Sequence, residues 1–203
     1  MTEVRPCFLE PIPEIYDAAR YLDAAVSAHL NGNAELAKAL IVQADTPTLA
    51  EWNAQFLLST KEQPFWKLKP NPVSQVKKVK NRMPGTQLKR DVIQRDGYHC
   101  RFCDIPVVRA EVRKNLHKLY PKKARWGPKN KDQHAGLVAM WLQYDHVCPH
   151  SMGGTNTLDN LVITCAPCNY GKMGYTVEEL YLEDPRDRPI IQSTWDGLER
   201  LLG

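Results

Sequence analysis

Apolar residues recur at helical spacing through the first part of the chain. Between residues 13 and about 31 they lie three or four positions apart, at Ile15, Ala19, Leu22, Val26 and Leu30, which predicts an amphipathic helix. Asn33 is suited to cap a second helix over 34–43. Thr46-Pro47 opens a third helix, which carries Leu49, Trp52, Phe56 and Leu57. We therefore predict a helical N-terminal region over residues 1–60.

The pattern changes after residue 60. Residues 61–83 mix proline and lysine with few periodic apolar positions, which indicates an extended basic connector. A helix is predicted over 84–97, with Gly97 as its stop. Residues 109–135 predict a helix followed by an irregular loop, because three helix breakers interrupt them: Pro121, Gly127 and Pro128.

Alternating and apolar runs in the next part of the chain predict a hairpin followed by a short helix. Residues 144–147 alternate like a strand, Gly153-Gly154 marks a turn, and the apolar run at 161–164 predicts the returning strand. A short helix containing Cys168 follows. We assign residues 84–175 to one domain with a basic insertion at 109–135, and 176–203 to a C-terminal helical tail.

Charge is distributed unevenly along the 203 residues. The net charge is only +4, but residues 61–172 hold 21 Lys and Arg against eight Asp and Glu. Residues 1–60 and 173–203 are both acidic. A basic block of this kind is typical of a segment that binds a polyanion, although a solvated lysine-rich surface would have the same composition.

Hydropathy gives no sign of a membrane protein. No stretch approaches the roughly 20 apolar residues that cross a bilayer, and the N-terminus has no secretory pattern. We therefore expect a cytoplasmic protein with no membrane partner. In that compartment thiols stay reduced, so the six cysteines are candidates for metal ligands or core residues rather than disulfides.

Two Cys-x-x-Cys pairs, Cys100/Cys103 and Cys165/Cys168, are separated by 61 residues. A two-residue gap lets both thiolates of one pair point at a single ion, so two pairs can make a tetrahedral four-sulfur zinc site. Free thiols and thioredoxin-type redox chemistry are the alternatives. A site closed by four sulfurs stabilises the fold and does not catalyse.

Hard oxygen donors follow the same hairpin pattern. Asp145 lies on the first predicted strand and Asn169 on the short helix, and two strands joined to a helix by zinc would bring them together. Carboxylate and amide oxygens suit a magnesium-like ion that keeps several waters.

Four motif pieces occur here in order: Asp145-His146-Val147-x-Pro149, Gly153-Gly154, Asp159-Asn160-Leu161-Val162, and Cys165-x-x-Cys168-Asn169-x-x-Lys172. Together they resemble the HNH endonuclease family. The resemblance covers about residues 84–172 and implies an α+β fold with a ββα-metal core and a structural zinc. It leaves out residues 1–60 and the tail, and the basic insertion is absent from shorter family members.

The resemblance also implies a role for each motif residue. His146 would be the general base, Asp145 and Asn169 would hold one catalytic divalent ion, and Asn160 would brace the loop that orients His146. Asparagine at position 169, where many relatives have histidine, favours Mg²⁺ or Mn²⁺ over zinc as that ion. His150, four residues after His146, is either a further metal or phosphate ligand or an exposed loop histidine.

The predicted activity is metal-dependent hydrolysis of DNA phosphodiester bonds. One site cuts one strand, so a monomer would nick and a symmetric dimer could cut both strands. We take as candidate nucleic-acid contacts Lys122, Lys123, Arg125 and Lys172. The family resemblance further suggests a restriction or phage-defence role, with a possible protein partner at the N-terminal helices. The alternatives are a zinc-stabilised nucleic-acid-binding module without catalysis and an RNA-directed nuclease.

Overall fold

The computed structural model describes residues 4–57 and 82–203, so almost all of the predicted connector lies outside the described residues. The N-terminal region contains three helices: α1 (Pro13–Leu30), α2 (Ala34–Gln43) and α3 (Pro47–Leu57). The Asn33 side chain caps α2 by accepting the Leu36 N–H at 3.1 Å. All three helices predicted from periodicity are therefore present.

Four further α-helices follow: α4 (Thr86–Asp96), α5 (Ala110–Leu119), α6 (Ala135–Ala139) and α7 (Ala166–Lys172). Gly97 ends α4, as predicted. The segment around Cys100 and Cys103 is a turn, held by an isolated bridge between His99 and Pro106. Within the described ranges, no helix has both the length and the apolar character that crossing a membrane requires.

The two strands of the structure form a small antiparallel hairpin. β1 (Leu142–His146) pairs with β2 (Leu161–Cys165), and Asp145 lies opposite Val162 while His146 lies opposite Leu161. Helix α7 begins directly after β2 and packs on both strands. This is the ββα arrangement that the motif pieces implied, and the whole fold is α+β.

The N-terminal helices pack against the rest of the chain. Helix α3 lies on α6 and α7, and α1 also contacts α6, so their buried apolar residues belong to the same hydrophobic core as the hairpin. Polar contacts support the packing. Asn53 donates to the Ala135 carbonyl at 2.8 Å, and Arg125 forms an ion pair with Asp45.

The predicted C-terminal helical tail is wrong. Residues 176–203 consist of turns and one 3-10 helix, Glu199–Leu202. Proline cannot donate a helical hydrogen bond, and this segment instead gives its carbonyls to the first cysteine turn. Arg101 donates to the carbonyls of Pro185 at 2.7 Å and Pro189 at 2.9 Å. The tail therefore stabilises the Cys100/Cys103 turn.

Candidate active site and metal centre

The four cysteines of the two Cys-x-x-Cys pairs come together in the interior. Cys100, Cys103, Cys165 and Cys168 are buried, and their sulfurs all lie within 4.8 Å of one another. The Sγ atoms of Cys103 and Cys165 are 3.6 Å apart. In a tetrahedral zinc site with bonds of about 2.3 Å the sulfurs are about 3.8 Å apart, so the spacing fits that ion.

The electrostatics of this cluster also fit a cation. Burial raises the pKa of the Cys103 and Cys165 thiols, because a nonpolar interior disfavours the charged thiolate, and the neighbouring Cys100 charge adds to the rise. A bound cation reverses this balance and stabilises the thiolates. The cluster could therefore hold a metal such as zinc, joining the first cysteine turn to β2 and α7.

The turn between β1 and β2 depends on two glycines. Gly153 has a φ of +91°, a left-handed conformation that glycine adopts without a steric penalty. A Cβ at Gly154 would lie 1.8 Å from the Cys148 carbonyl oxygen. No side chain fits there, so the loop can close tightly over the end of β1.

Asn160 holds this loop from the other end. Its Oδ1 accepts the Cys148 N–H at 2.8 Å, and its Nδ2 donates to the carbonyls of Cys148 at 3.2 Å and Thr155 at 3.0 Å. The side chain thus bonds the backbone on both sides of the Gly153-Gly154 turn. Its amide points at the loop and not at an open groove.

Asp145 and Lys172 form an ion pair inside the core. Asp145 is 5% exposed and Lys172 is 0% exposed, and the Lys172 Nζ lies 3.2 Å from the Asp145 Oδ2. The two atoms are close enough for an ion pair but are not aligned for a hydrogen bond. The Asp145 Oδ2 therefore has no hydrogen-bond partner. Burial raises the pKa of Asp145 to about 6, and the Lys172 charge offsets part of that rise.

His146 is oriented by a residue of the loop. It is 8% exposed, and its Nε2 lies 2.8 Å from the Asn156 Oδ1. Since an amide oxygen only accepts, we assign the proton to Nε2, which leaves the Nδ1 lone pair available as a base. Burial lowers the pKa of His146, so the ring is neutral at neutral pH.

Asn169 lies on α7, three residues before Lys172, so both project from one face of the helix. Lys172 reaches the Asp145 carboxylate and also donates to the His146 carbonyl at 2.7 Å. That face therefore lies against the end of β1. Among the described residues, no hydrogen bond engages the Asn169 side chain.

Carboxylate and amide oxygens are the kind of donor that an ion such as Mg²⁺ takes. The Asp145 Oδ2 is a buried oxygen without a hydrogen bond, and the Asn169 amide is a hard donor on α7. Mg²⁺ uses one or two protein oxygens and keeps several waters. His150 lies at the same end of the loop, with its ring centroid 5.8 Å from that of His146.

The four predicted nucleic-acid contacts do not share one environment. Lys122 and Lys123 are exposed beyond the end of α5. Arg125 forms an ion pair with Asp45. The phosphate contact expected of Lys172 does not fit its placement, because its ammonium is fully buried between Asp145 and the His146 carbonyl.

Sequence reasoning missed two groups that shape the site. Asn156 bonds the His146 ring, and its only sequence signal is a polar residue just after the glycine turn. Asp96, at the end of α4, accepts the Ile163 N–H of β2 at 2.9 Å, and Arg95 binds both its oxygens. In the sequence, Arg95 and Asp96 are only two adjacent opposite charges at a helix end, and nothing there indicates that they hold β2.

Residues 140–182 match the family model described as HNH endonuclease. The matched segment contains β1, β2 and α7, and it therefore includes Asp145, His146, Asn160 and Asn169. The Cys100/Cys103 turn lies outside it. No curated protein and no solved structure shows a significant match to the chain. The match confirms the resemblance seen in the motif pieces.

Proposed function

Because residues 140–182 match the HNH endonuclease family, we propose that this chain is a metal-dependent endonuclease that hydrolyses phosphodiester bonds of DNA. One observation carries the proposal. The Asp145 carboxylate, the His146 backbone carbonyl and the α7 face that bears Asn169 are tied together at one point by Lys172. This packing of α7 on β1 supports a site in which the His146 ring acts with the oxygen donors of Asp145 and Asn169 at one end of the hairpin.

His146 is the proposed general base. Its neutral Nδ1 takes a proton from a water molecule, whose oxygen then attacks the phosphorus while the bond to the 3′ oxygen breaks, and the 3′ oxygen takes up a proton from solvent. The Asn156 Oδ1 stabilises the resulting imidazolium by accepting the Nε2–H. Because the pKa of His146 is lowered, the imidazolium releases its proton to solvent readily, and the neutral base is regenerated for the next turnover.

Asp145 and Asn169 are the proposed ligands of one Mg²⁺ or Mn²⁺ ion. When bound, that ion supplies positive charge next to the phosphate and the leaving 3′ oxygen. The chain contributes a carboxylate held in place by Lys172 and an amide fixed on α7. Lys172 is therefore a positioning residue and not a substrate contact, and Asn160 positions the loop through its three backbone bonds.

Cleavage of supercoiled plasmid tests the proposal. Purified protein with Mg²⁺ or Mn²⁺ should convert the plasmid to the nicked form, and chelator or His146→Ala should abolish the conversion. His117→Ala is the matched control, since that ring bonds the Ala124 carbonyl at 2.9 Å and contacts none of the proposed site residues. Full activity of His146→Ala would refute the assignment of the base.

The plasmid assay and a parallel assay with a labelled RNA strand separate the alternatives. A chain that binds plasmid but never cuts it under any divalent ion is a zinc-stabilised binding module. Metal-assisted cleavage does not by itself read the 2′-hydroxyl, so RNA is tested directly, and a chain that cuts only the RNA strand is an RNA-directed nuclease.

A restriction or phage-defence role is the biological setting that we propose from the family resemblance. Bacteria that express the wild-type chain should then reduce phage plating, and those that express His146→Ala should not. Equal plating of the two strains would refute this setting and leave the biochemical proposal standing.

A further inference from the structure

Arg113 is a buried cation between two tryptophans. It lies in α5, is 6% exposed, and its guanidinium carbon is 3.5 Å from the Trp126 ring centroid and 4.9 Å from that of Trp141. Its Nε is buried without a hydrogen-bond partner. Among residues 4–57 and 82–203, no hydrogen bond and no ion pair within 4.0 Å engages its guanidinium, and the Glu111 carboxylate two residues earlier acts on it only at longer range.

This environment gives the charged guanidinium fewer polar partners than a buried arginine usually has. Arg101, equally buried, has the Asp96 carboxylate 3.7 Å away and donates to three backbone carbonyls. Arg113 has only the two ring faces, and such contacts contribute about 0.5–2 kcal/mol. The desolvation of an ion costs several kcal/mol. Burial lowers the pKa of Arg113 to about 10, although the Glu111 charge offsets part of that fall, so the charge is still present at neutral pH and has no anion in direct contact.

The position of the two rings connects Arg113 to the candidate active site. Trp141 immediately precedes β1, and the alternation of a strand puts it on the same face as Asp145. Its ring centroid is 6.4 Å from that of Tyr170, the residue after Asn169. Four residues of strand span about 13 Å, which corresponds to about four nucleotides along one strand of a duplex.

The surrounding charge selects the kind of anion. Residues 109–135 hold nine Lys and Arg against two acidic residues, and Lys122 and Lys123 of this insertion are exposed. A polyanion is attracted to such a surface, and planar guanidinium groups match phosphate oxygens. Aromatic rings beside the charge offer faces for stacking bases.

We propose that Arg113, held between Trp126 and Trp141, binds a backbone phosphate of the substrate strand within about four nucleotides of the scissile bond. The inference rests on the proposed function, since it assigns a substrate contact to that site. The two rings fix the guanidinium in advance, so little side-chain entropy is lost on binding.

The test measures binding in a nuclease-dead parent, His146→Ala, with Mg²⁺ and a short fluorescein-labelled DNA duplex of mixed sequence. Arg113→Met keeps an unbranched apolar stem and removes the charged guanidinium. We expect Kd to rise about tenfold and the slope of log Kd against log salt to fall by about one phosphate contact. Lys114→Met is the matched control, since it removes an exposed charge from the next position of α5.

Stability measurements separate a substrate contact from a structural role. If the guanidinium lacks an anion in the free protein, Arg113→Met should unfold at the same or a higher temperature. Arg113→Lys should keep the salt slope and lose part of the affinity, because an ammonium is not a planar fork. An Arg113→Met variant that fails to fold, or that binds DNA as Lys114→Met does, overturns the inference.

The outcome is distinguishable from failure of the proposed function. If the wild type nicks plasmid and the parent binds the duplex, but Arg113→Met binds as tightly as the parent, only the phosphate contact is refuted. If the wild type cuts no nucleic acid and the parent binds none, the proposed function itself is refuted, and the contact with it.

Discussion

The ammonium of Lys172 lies 3.2 Å from the Asp145 Oδ2, and neither residue is more than 5% exposed. The same ammonium donates to the His146 carbonyl at 2.7 Å. One side chain of α7 therefore fixes both the proposed metal ligand and the backbone of the proposed base. The geometry of the site depends on how α7 packs against β1, and it can be perturbed without changing any proposed catalytic residue.

Lys172→Met should destabilise the fold. It leaves the Asp145 carboxylate buried without its counterion, and removing one partner of a buried pair costs about 3–5 kcal/mol. Urea unfolding of the zinc-loaded protein measures the loss. Plasmid nicking should fall as well, because a carboxylate without the nearby cation is protonated more easily.

A double-mutant cycle provides the control for that prediction. Lys172→Met combined with Asp145→Asn removes both charges, so the double variant should regain about 2 kcal/mol relative to the sum of the single losses. It should stay inactive, since an amide replaces the proposed carboxylate ligand. Strictly additive losses would contradict the coupling of these two residues.

Gly154→Ser should disrupt the loop that carries Asn156 and Asn160. Its Cβ would lie 1.8 Å from the Cys148 carbonyl oxygen and 2.9 Å from the Asn160 Nδ2, and a backbone atom cannot move aside without displacing the loop. We expect a loss of about 2 kcal/mol in stability and a larger proportional loss of nicking. Gly85→Ser adds the same side chain where no atom lies within 4 Å and should match the wild type in both measurements.

Cys165→Ser should remove the structural metal. With one of the four sulfurs missing, the closed tetrahedral site cannot form, and metal binding contributes directly to folding. Elemental analysis should find about one zinc ion per chain in the wild type and almost none in the variant. Cys148→Ser changes an exposed cysteine outside the cluster and should keep its zinc. A zinc-loaded, stable Cys165→Ser would contradict the four-sulfur site.

The parts of the structure that the sequence predicted depend on local spacing. Helices α1 and α2 follow from apolar periodicity and the Asn33 cap, and the cysteine cluster follows from two knuckles whose internal gap is fixed. The hairpin follows from a glycine turn between two apolar runs. Each signal is contained within a few residues, so no knowledge of packing is needed to interpret it.

The errors concern the directions of side chains, which packing decides. The sequence around Lys172 is the same whether its ammonium faces a phosphate or a buried carboxylate. The packing of α7 on β1 decides the outcome and buries the ammonium beside Asp145. Arg125 faces Asp45, 80 positions away in the chain. In the tail, the carbonyls of Pro185, Arg188 and Pro189 accept from Arg101 instead of forming helical bonds, and that partner is similarly distant in sequence.

His134 joins α2 to the start of α6 through hydrogen bonds that require a neutral ring. It is fully buried, its Nε2 lies 2.9 Å from the Ile41 carbonyl, and its Nδ1 accepts the Leu137 N–H at 3.2 Å. The carbonyl requires a proton on Nε2 and the N–H requires a lone pair on Nδ1. Both bonds are satisfied only by the uncharged ring.

We therefore expect His134 to make stability depend on pH. Burial lowers the pKa of His134 to about 4, whereas in the unfolded chain it is about 6.5. The unfolded state takes up the proton first, so the contribution is fully present above about pH 6.5 and is lost as the pH falls toward 4, by about 3 kcal/mol. His134→Asn keeps a side-chain oxygen that can cap α6 and does not titrate. The free energy of unfolding in urea is measured for both proteins between about pH 4 and 7, and the value of the variant is subtracted from that of the wild type. The subtraction cancels the stability that other titrating groups lose in acid. A difference that stays constant across this range would contradict the assignment.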